Sequence, residues 1–186
     1  PSIAWVGNDW KALDVVLVRI ETDEGLVGWG EAFSYNCRRA VTAMVEDVAG
    51  PLVLGKDVHD RAALVHSLQV QMHLWGRYGV SMFAISGIDI ALWDLAGKIA
   101  GQPLGQLLGG GKTKLPAYAS LLKYQDPEVV AERTGHALEQ GYRLIKLHES
   151  TVQPVRAARE AAGDEVAIML DVNCAWSPLE AAAIVP

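Results

Sequence analysis

Lys146 and His148 stand two residues apart at the end of a short apolar run, Leu144-Ile145-Lys146-Leu147-His148-Glu149. Side chains alternate along a strand, so a strand here turns both ionisable groups to one face and Ile145 and Leu147 to the other. A second run, Val166-Ala167-Ile168-Met169-Leu170-Asp171-Val172-Asn173, repeats the design: an apolar strand ends in a carboxylate, with an amide two positions on. In a barrel of parallel strands, functional groups gather where the strands end, at the C-terminal face. Lys146, His148, Asp171 and Asn173 are thereby candidates for one shared rim. Proton transfer is the chemistry open to them. A cation beside His148 disfavours the imidazolium and leaves a neutral ring able to accept a proton near neutral pH. Taken singly, each residue has a plainer reading. A Lys or Asp just past a strand is ordinarily a solvated end or a helix cap, and an isolated histidine is ordinarily a structural one. Asp171 is not placed as a cap, because Ser177 before Pro178 fills that role.

The elements that must position these residues follow from the surrounding pattern. Leu115 to Leu121 reads as a strand, Asp126-Pro127 starts a helix reaching about Gln140, and Arg143 to His148 is a second strand. Thr151 to Ala162 is helical, Val166 to Asp171 is a third strand, and Ser177-Pro178 opens a further helix. This alternation describes parallel βα units. Before the glycine run Gly109-Gly110-Gly111 the pattern differs. Asp14 to Ile20 and Leu26 to Phe33 form a hairpin about the Asp23-Glu24-Gly25 turn. Helical spacing follows over Arg38 to Val48 and Asp57 to Trp75, where Leu64, Leu68 and Met72 make one stripe. Ser81 to Ala100 is apolar nearly all round, as a buried helix is, and Gly101-Gln102-Pro103 ends it. The glycine run is therefore the expected boundary between residues 1–111 and 112–186.

Composition narrows the partners. The 186 residues are 51% hydrophobic and 20% charged, with a formal charge of −6, the balance of a globular protein with no basic stripe for nucleic acid. Cys37 and Cys174 lie far apart without CxxC spacing, which gives neither a disulfide framework nor a zinc site and makes a reducing cytoplasm the expected location. No stretch approaches the roughly 20 uninterrupted apolar residues of a membrane span, so no membrane partner is expected.

Three features invite other readings. Gly109 to Thr113 ends in Gly-Lys-Thr, but Gln106 stands where a phosphate loop carries its first glycine, so the segment reads as a connector. His59, His66 and His73 recur every seven residues, two helical turns or about 10 Å apart, too far for two of them to share one ion. Glu31 and Asp89 are carboxylates in apolar settings, for which paired structural roles are expected.

Ser86-Gly87-Ile88-Asp89-Ile90-Ala91-Leu92-Trp93-Asp94-Leu95-Ala96-Gly97-Lys98, followed by Gln102-Pro103-Leu104 and Leu107-Leu108-Gly109-Gly110, closely resembles the end of the capping domain in the mandelate racemase branch of the enolase superfamily. Gly28-Trp29-Gly30-Glu31-Ala32 resembles that domain's hairpin strand. Lys146-Leu147-His148 resembles the Lys-x-Lys or Lys-x-His pair of the second barrel strand, and Asp171-Val172-Asn173 the third-strand segment whose Asp binds magnesium. The resemblance runs from Asp14 onward.

It implies an α+β N-terminal capping domain followed by the first βα units of a TIM-like (β/α) barrel. It also implies a shared first step, removal of the proton α to a carboxylate to give an enediolate held on Mg²⁺, a hard cation suited to Asp171. By position His148 is the base, while Lys146 tunes it and contacts the substrate carboxylate. His148 replaces the usual second lysine, so these two roles are exchangeable. Ser120 resembles a substrate-carboxylate contact, though a mere strand-end hydroxyl suits it equally, and Asn173 is placed at the substrate too. Trp5 and Trp10 fall where the family has a specificity loop.

The expected substrate is a small carboxylate, an acid sugar before others, and the expected activity is that of a dehydratase. The alternatives are a cycloisomerase or racemase of a sugar lactone or α-hydroxy acid, or a non-catalytic relative used for binding or assembly. The family's remaining metal ligands and second acid or base would lie beyond Pro186. The chain opens on Pro1 and stops soon after a helix begins, so the expectation is a piece of a protein about twice as long, as a complete barrel plus a cap requires. That protein is expected to be a homo-oligomer, and the 186 residues alone to be inactive.

Overall fold

The computed structural model describes residues 14–112 and 114–184, which form two compact units, one ending at Gly111 and the other beginning at Lys112. Trp5 and Trp10 lie outside the described residues.

In the first unit β1 (Val16–Glu21) and β2 (Val27–Ala32) pair antiparallel, with Val18 opposite Gly30. Gly25 closes the turn at φ +82°, a conformation that costs glycine little. Alternation along β2 turns Gly28, Gly30 and Ala32 inward and leaves Trp29 and Glu31 exposed. Against the inward face lies α4 (Val80–Ala100), after α1 (Arg38–Ala43), α2 (Gly50–Val53) and α3 (Arg61–Gln71). The fit is backbone to backbone. A Cβ on Gly30 would overlap the Gly87 carbonyl oxygen and come within 2.6 Å of Ala91 N, and one on Gly87 would come within 2.8 Å of Ala32 Cβ. Polar groups then fasten the two elements: Asp94 accepts from Trp29 N at 2.8 Å and from Lys98 Nζ at 2.7 Å, and Lys98 also donates to Val27 O at 2.6 Å. The Lys98 ammonium is the main cause holding the Asp94 carboxyl below its ordinary pKa.

α4 has the length and mean hydropathy of a membrane-crossing helix, 21 residues at 1.4, yet half of that window is buried inside the unit. Ile88, Leu92 and Leu95 are buried against Leu68 and Met72, the latter two from the predicted stripe. Gly101 at φ +62° closes the helix, with Gly101 N bonded to Lys98 O and Gln102 N to Gly97 O, a Schellman motif. Asp89 is paired as expected, with Arg61 at 2.9 Å, and the same guanidinium lies 3.6 Å from the Trp93 ring centroid. Glu31 is not: it is exposed on the outer face of β2 and has no ion pair among the described residues.

The helix expected over 38–48 continues as a π-helical stretch, Met44–Ala49, into α2. Gly50 N reaches back five residues to Val45 O, an approach that a Cβ on Gly50 would crowd to 2.7 Å, and Pro51 has no N–H to continue the α ladder. Beyond α4 come the short α5 (Leu104–Leu107) and the glycine run, with Gly109 at φ +78°.

In the second unit β3 (Ala119–Ser120), β4 (Leu144–Leu147) and β5 (Ala167–Leu170) pair parallel in that order. α6 (Pro127–Glu139), α7 (Val152–Ala162) and α8 (Pro178–Ile184) follow them in turn. β3 is shorter than the predicted strand because Pro116 offers no ladder N–H and β4 supplies partners only from Leu144 on. Asp126 caps α6 by accepting from Glu128 N at 2.9 Å, and Ser177 with Glu180 forms a reciprocal capping box on α8. Ile145 and Leu147, fully buried, pack with Val130, Ala137 and Ala158 from α6 and α7. That core fixes which face of β4 looks at the helices, so Lys146 and His148 take the other.

Gly30→Ala should lower the stability of the first unit by about 3 kcal/mol, the cost of forcing a methyl into filled space. A urea midpoint equal to that of the parent would disprove the backbone contact.

Candidate active site

The register places Ser120 beside Lys146 and Lys146 beside Met169. One step further, His148 and Asp171 pass the ends of β4 and β5 on the same face. Asp171 N still bonds to Leu147 O at 2.9 Å, so the carboxylate leaves the sheet from a fixed backbone.

Lys146 Nζ lies 2.8 Å from Asp171 Oδ2, with the two side chains 22% and 40% exposed. The hydrogen bond to Asp171 is the main cause raising the Lys146 pKa, and the same bond, helped by Asn173 N, lowers that of Asp171. Asn173 N donates to Asp171 Oδ1 at 2.9 Å, a local turn that leaves Asn173 at φ +50° and Cys174 at φ +61°. Asparagine tolerates that left-handed backbone better than most residues.

His148 Nδ1 meets Asp171 O at 3.0 Å and Asn173 Nδ2 at 2.8 Å, and lies 4.0 Å from Asp171 Oδ2. A proton on Nδ1 donates to the Asp171 carbonyl and leaves the lone pair on Nε2, whereas a bare Nδ1 accepts from Asn173 Nδ2 and puts the proton on Nε2. Both contacts address Nδ1. Nε2 has no partner among the described residues.

The structure thus brings Lys146, His148, Asp171 and Asn173 into one network. Ser120 lies on the same face but makes no hydrogen bond to them among the described residues. The Asn173 side chain, expected at the substrate, also meets His148 Nδ1 at 2.8 Å. Lys146 does not act on His148 as a lone cation, because its ammonium is paired with Asp171 and the carboxylate offsets its field.

Glu149 was assigned no role from the sequence. It is 1% exposed, and its carboxylate accepts from Tyr124 N at 2.7 Å and from Gln125 N at 3.1 and 3.2 Å. Alternation already sets it on the helix-facing side with Ile145 and Leu147, where a carboxylate must find donors.

The paired groups hold across a wide neutral window. The lowered Asp171 pKa contributes stability above the ordinary carboxylate range, lost as pH falls through the lowered value. The raised Lys146 pKa contributes below the ordinary lysine range, lost as pH rises through the raised value. Lys146→Met should therefore raise the Asp171 midpoint, followed by carboxyl-carbon NMR; a midpoint that stays put would remove the ion pair from the account.

Comparison with known proteins agrees with this architecture. The family model "Mandelate racemase / muconate lactonizing enzyme, N-terminal domain" matches residues 8–109, and "Enolase C-terminal domain-like" matches residues 129–186. An arabinonate dehydratase from Saccharolobus solfataricus is 33% identical, aligned over 97% of this chain and 51% of its own length. A D-galactarolactone cycloisomerase from Agrobacterium fabrum is 34% identical, over 89% of this chain and 46% of its own. A crystal structure of a racemase from Streptomyces coelicolor A3(2) with bound magnesium superposes with a TM-score of 0.82 at 32% identity, covering 90% of this chain and 50% of that one. The chain spans about half the length of the curated relatives it matches. The three parallel strands with their helices correspond to part of a barrel, and the first unit to the capping domain. On these matches, the chain belongs to the enolase superfamily, in its mandelate racemase / muconate lactonizing enzyme branch.

Proposed function

We propose that the protein carrying this chain removes the proton α to the carboxylate of an acid sugar and expels the β-hydroxyl, as a dehydratase. The observation that carries the reading is the joint placement of Lys146, His148 and Asp171 on one strand-end rim, with Nε2 of His148 left for a reacting group. His148 takes the α-proton on Nε2, while Asp171 O and Asn173 hold the ring through Nδ1. Lys146, already facing an anion, contacts the substrate carboxylate and stabilises the second negative charge that grows as the C–H bond breaks. Ser120, in register beside Lys146, donates to the same carboxylate.

The donor set suits a hard dication: Asp171 offers a part-exposed carboxylate at the rim, oxygen chemistry of the kind magnesium prefers. Among the described residues no group of three His, Cys, Asp or Glu surrounds a common point, and Asp171 is the one ligand we assign to this chain. Bound Mg²⁺ supplies a Lewis acid for the oxygens of the carbon acid as they gain charge.

A cycloisomerase is the second reading, supported by relatives of that name at the same level of identity as the dehydratase. The two differ in the partner acid, which protonates either a leaving hydroxyl or a carbon centre. Neither requires a different role for the residues of this chain.

In the full-length protein, Asp171→Asn should weaken Mg²⁺ binding about tenfold or more and abolish turnover; calorimetry showing unchanged metal affinity would take it out of the ligand set. His148→Asn should slow exchange of the substrate α-proton with solvent deuterium by about 10²- to 10⁴-fold while the fold survives. Exchange at the parental rate would assign the base elsewhere.

A further inference from the structure

We infer that Glu149 is a positioning residue of this site: its buried carboxylate clamps the loop after β3 to the end of β4 and so holds Ser120 and His148 in fixed relation. The inference rests on the α-proton reading above.

A carboxylate is costly to bury unless its charge is met, and Glu149, 1% exposed, has no ion pair among the described residues. It is met instead by consecutive backbone N–H groups, those of Tyr124 and Gln125. Gln125 sits at φ +65°, unfavourable for a residue with a side chain, and this backbone turns the two N–H groups toward one point, as in an anion-binding nest. The next residue, Asp126, caps α6, so the positive end of that helix adjoins the same region. The protein thus carries its own anion in a backbone site, and an apolar side chain at 149 would leave two N–H groups unpaired.

The clamp has a purpose that stability alone does not explain, because a buried charge is a poor way to add stability. Residues 121–125 are joined to residues 146–150 by Leu121 N to Lys146 O at 2.9 Å, by Lys123 Nζ to Ser150 Oγ at 3.0 Å, and by the bonds that Glu149 accepts from Tyr124 N and Gln125 N. Ser120 enters this loop directly. His148 precedes Glu149, and by alternation a Glu149 side chain anchored on the helix side keeps the His148 ring on the other. Glu149, which touches neither substrate nor proton, then adds to the β3–β4 register in holding the group that grips a carboxylate against the group that takes its α-proton.

The test uses the full-length enzyme with Mg²⁺, Glu149→Asp and Glu149→Gln, and arabinonate and galactarolactone as probes. Asp keeps the charge and loses the reach; Gln keeps Oε1 on both N–H groups. Glu149→Asp should speed hydrogen exchange of peptide 121–126 at least about tenfold and lower kcat by about 10- to 100-fold with KM nearly constant. It should also raise the kinetic isotope effect of α-deuterated substrate, since a misplaced base makes proton removal limiting. Glu149→Gln should restore all three to within about fivefold of the parent, because one retained acceptor meets both donors. A smaller folded population cannot change an isotope effect, so faster exchange with an unchanged isotope effect would make Glu149 merely structural and overturn the inference. Parental exchange in Glu149→Asp would overturn the clamp itself. A parent that neither turns over nor exchanges the α-proton of either probe would sink the α-proton reading, and the positioning role with it, whatever the peptide data show.

Discussion

The parallel register of β4 against β5 is the constraint on which the site depends. Lys146 lies opposite Met169 and the strands end together, which sets Asp171 within an ion pair of Lys146 and within a hydrogen bond of His148. A slip of one residue would turn every side chain of β4 to the wrong face. What prevents it is apolar: Ile145 and Leu147 have no exposure and are held against α6 and α7. The polar face is thus defined by exclusion, since the other face is already filled.

The first unit solves a different packing problem. Glycines at Gly28, Gly30 and Gly87 let a strand and a long helix approach until backbone touches backbone, and Asp94 with Lys98 then satisfies strand groups that lie over the helix. The motif Gly28-Trp29-Gly30-Glu31-Ala32 and the helix sequence around Gly87 therefore encode one interface written in two places. This explains how segments so far apart can carry a family resemblance together.

At the rim, polar groups are shared rather than singly assigned. Asp171 receives Lys146 on one oxygen and Asn173 N on the other, while its carbonyl meets His148. Each group orients the next, so the network holds its geometry while Nε2 of His148 stays open. The left-handed Asn173 and Cys174 lie where a strand-end turn redirects the chain, a backbone that costs energy and is held by the contacts around it.

By itself the sequence determined the hairpin, the long core helix with its glycine stop, the βα alternation, and the gathering of Lys146, His148 and Asp171. All of these follow from periodicity and from residue types with narrow conformational ranges, which act over short stretches of chain. Tertiary structure alone decided that Asn173 meets His148, that Lys146 is paired with Asp171, that β3 is only two residues long, and that Glu149 is the buried anion of the β3–α6 loop. Those outcomes depend on distances between side chains from different strands, which alternation can assign to a face but cannot measure. The π-helical stretch at Met44–Ala49 belongs with them, because the bond from Gly50 N to Val45 O replaces an ordinary helical one that the apolar spacing of the segment predicts equally well.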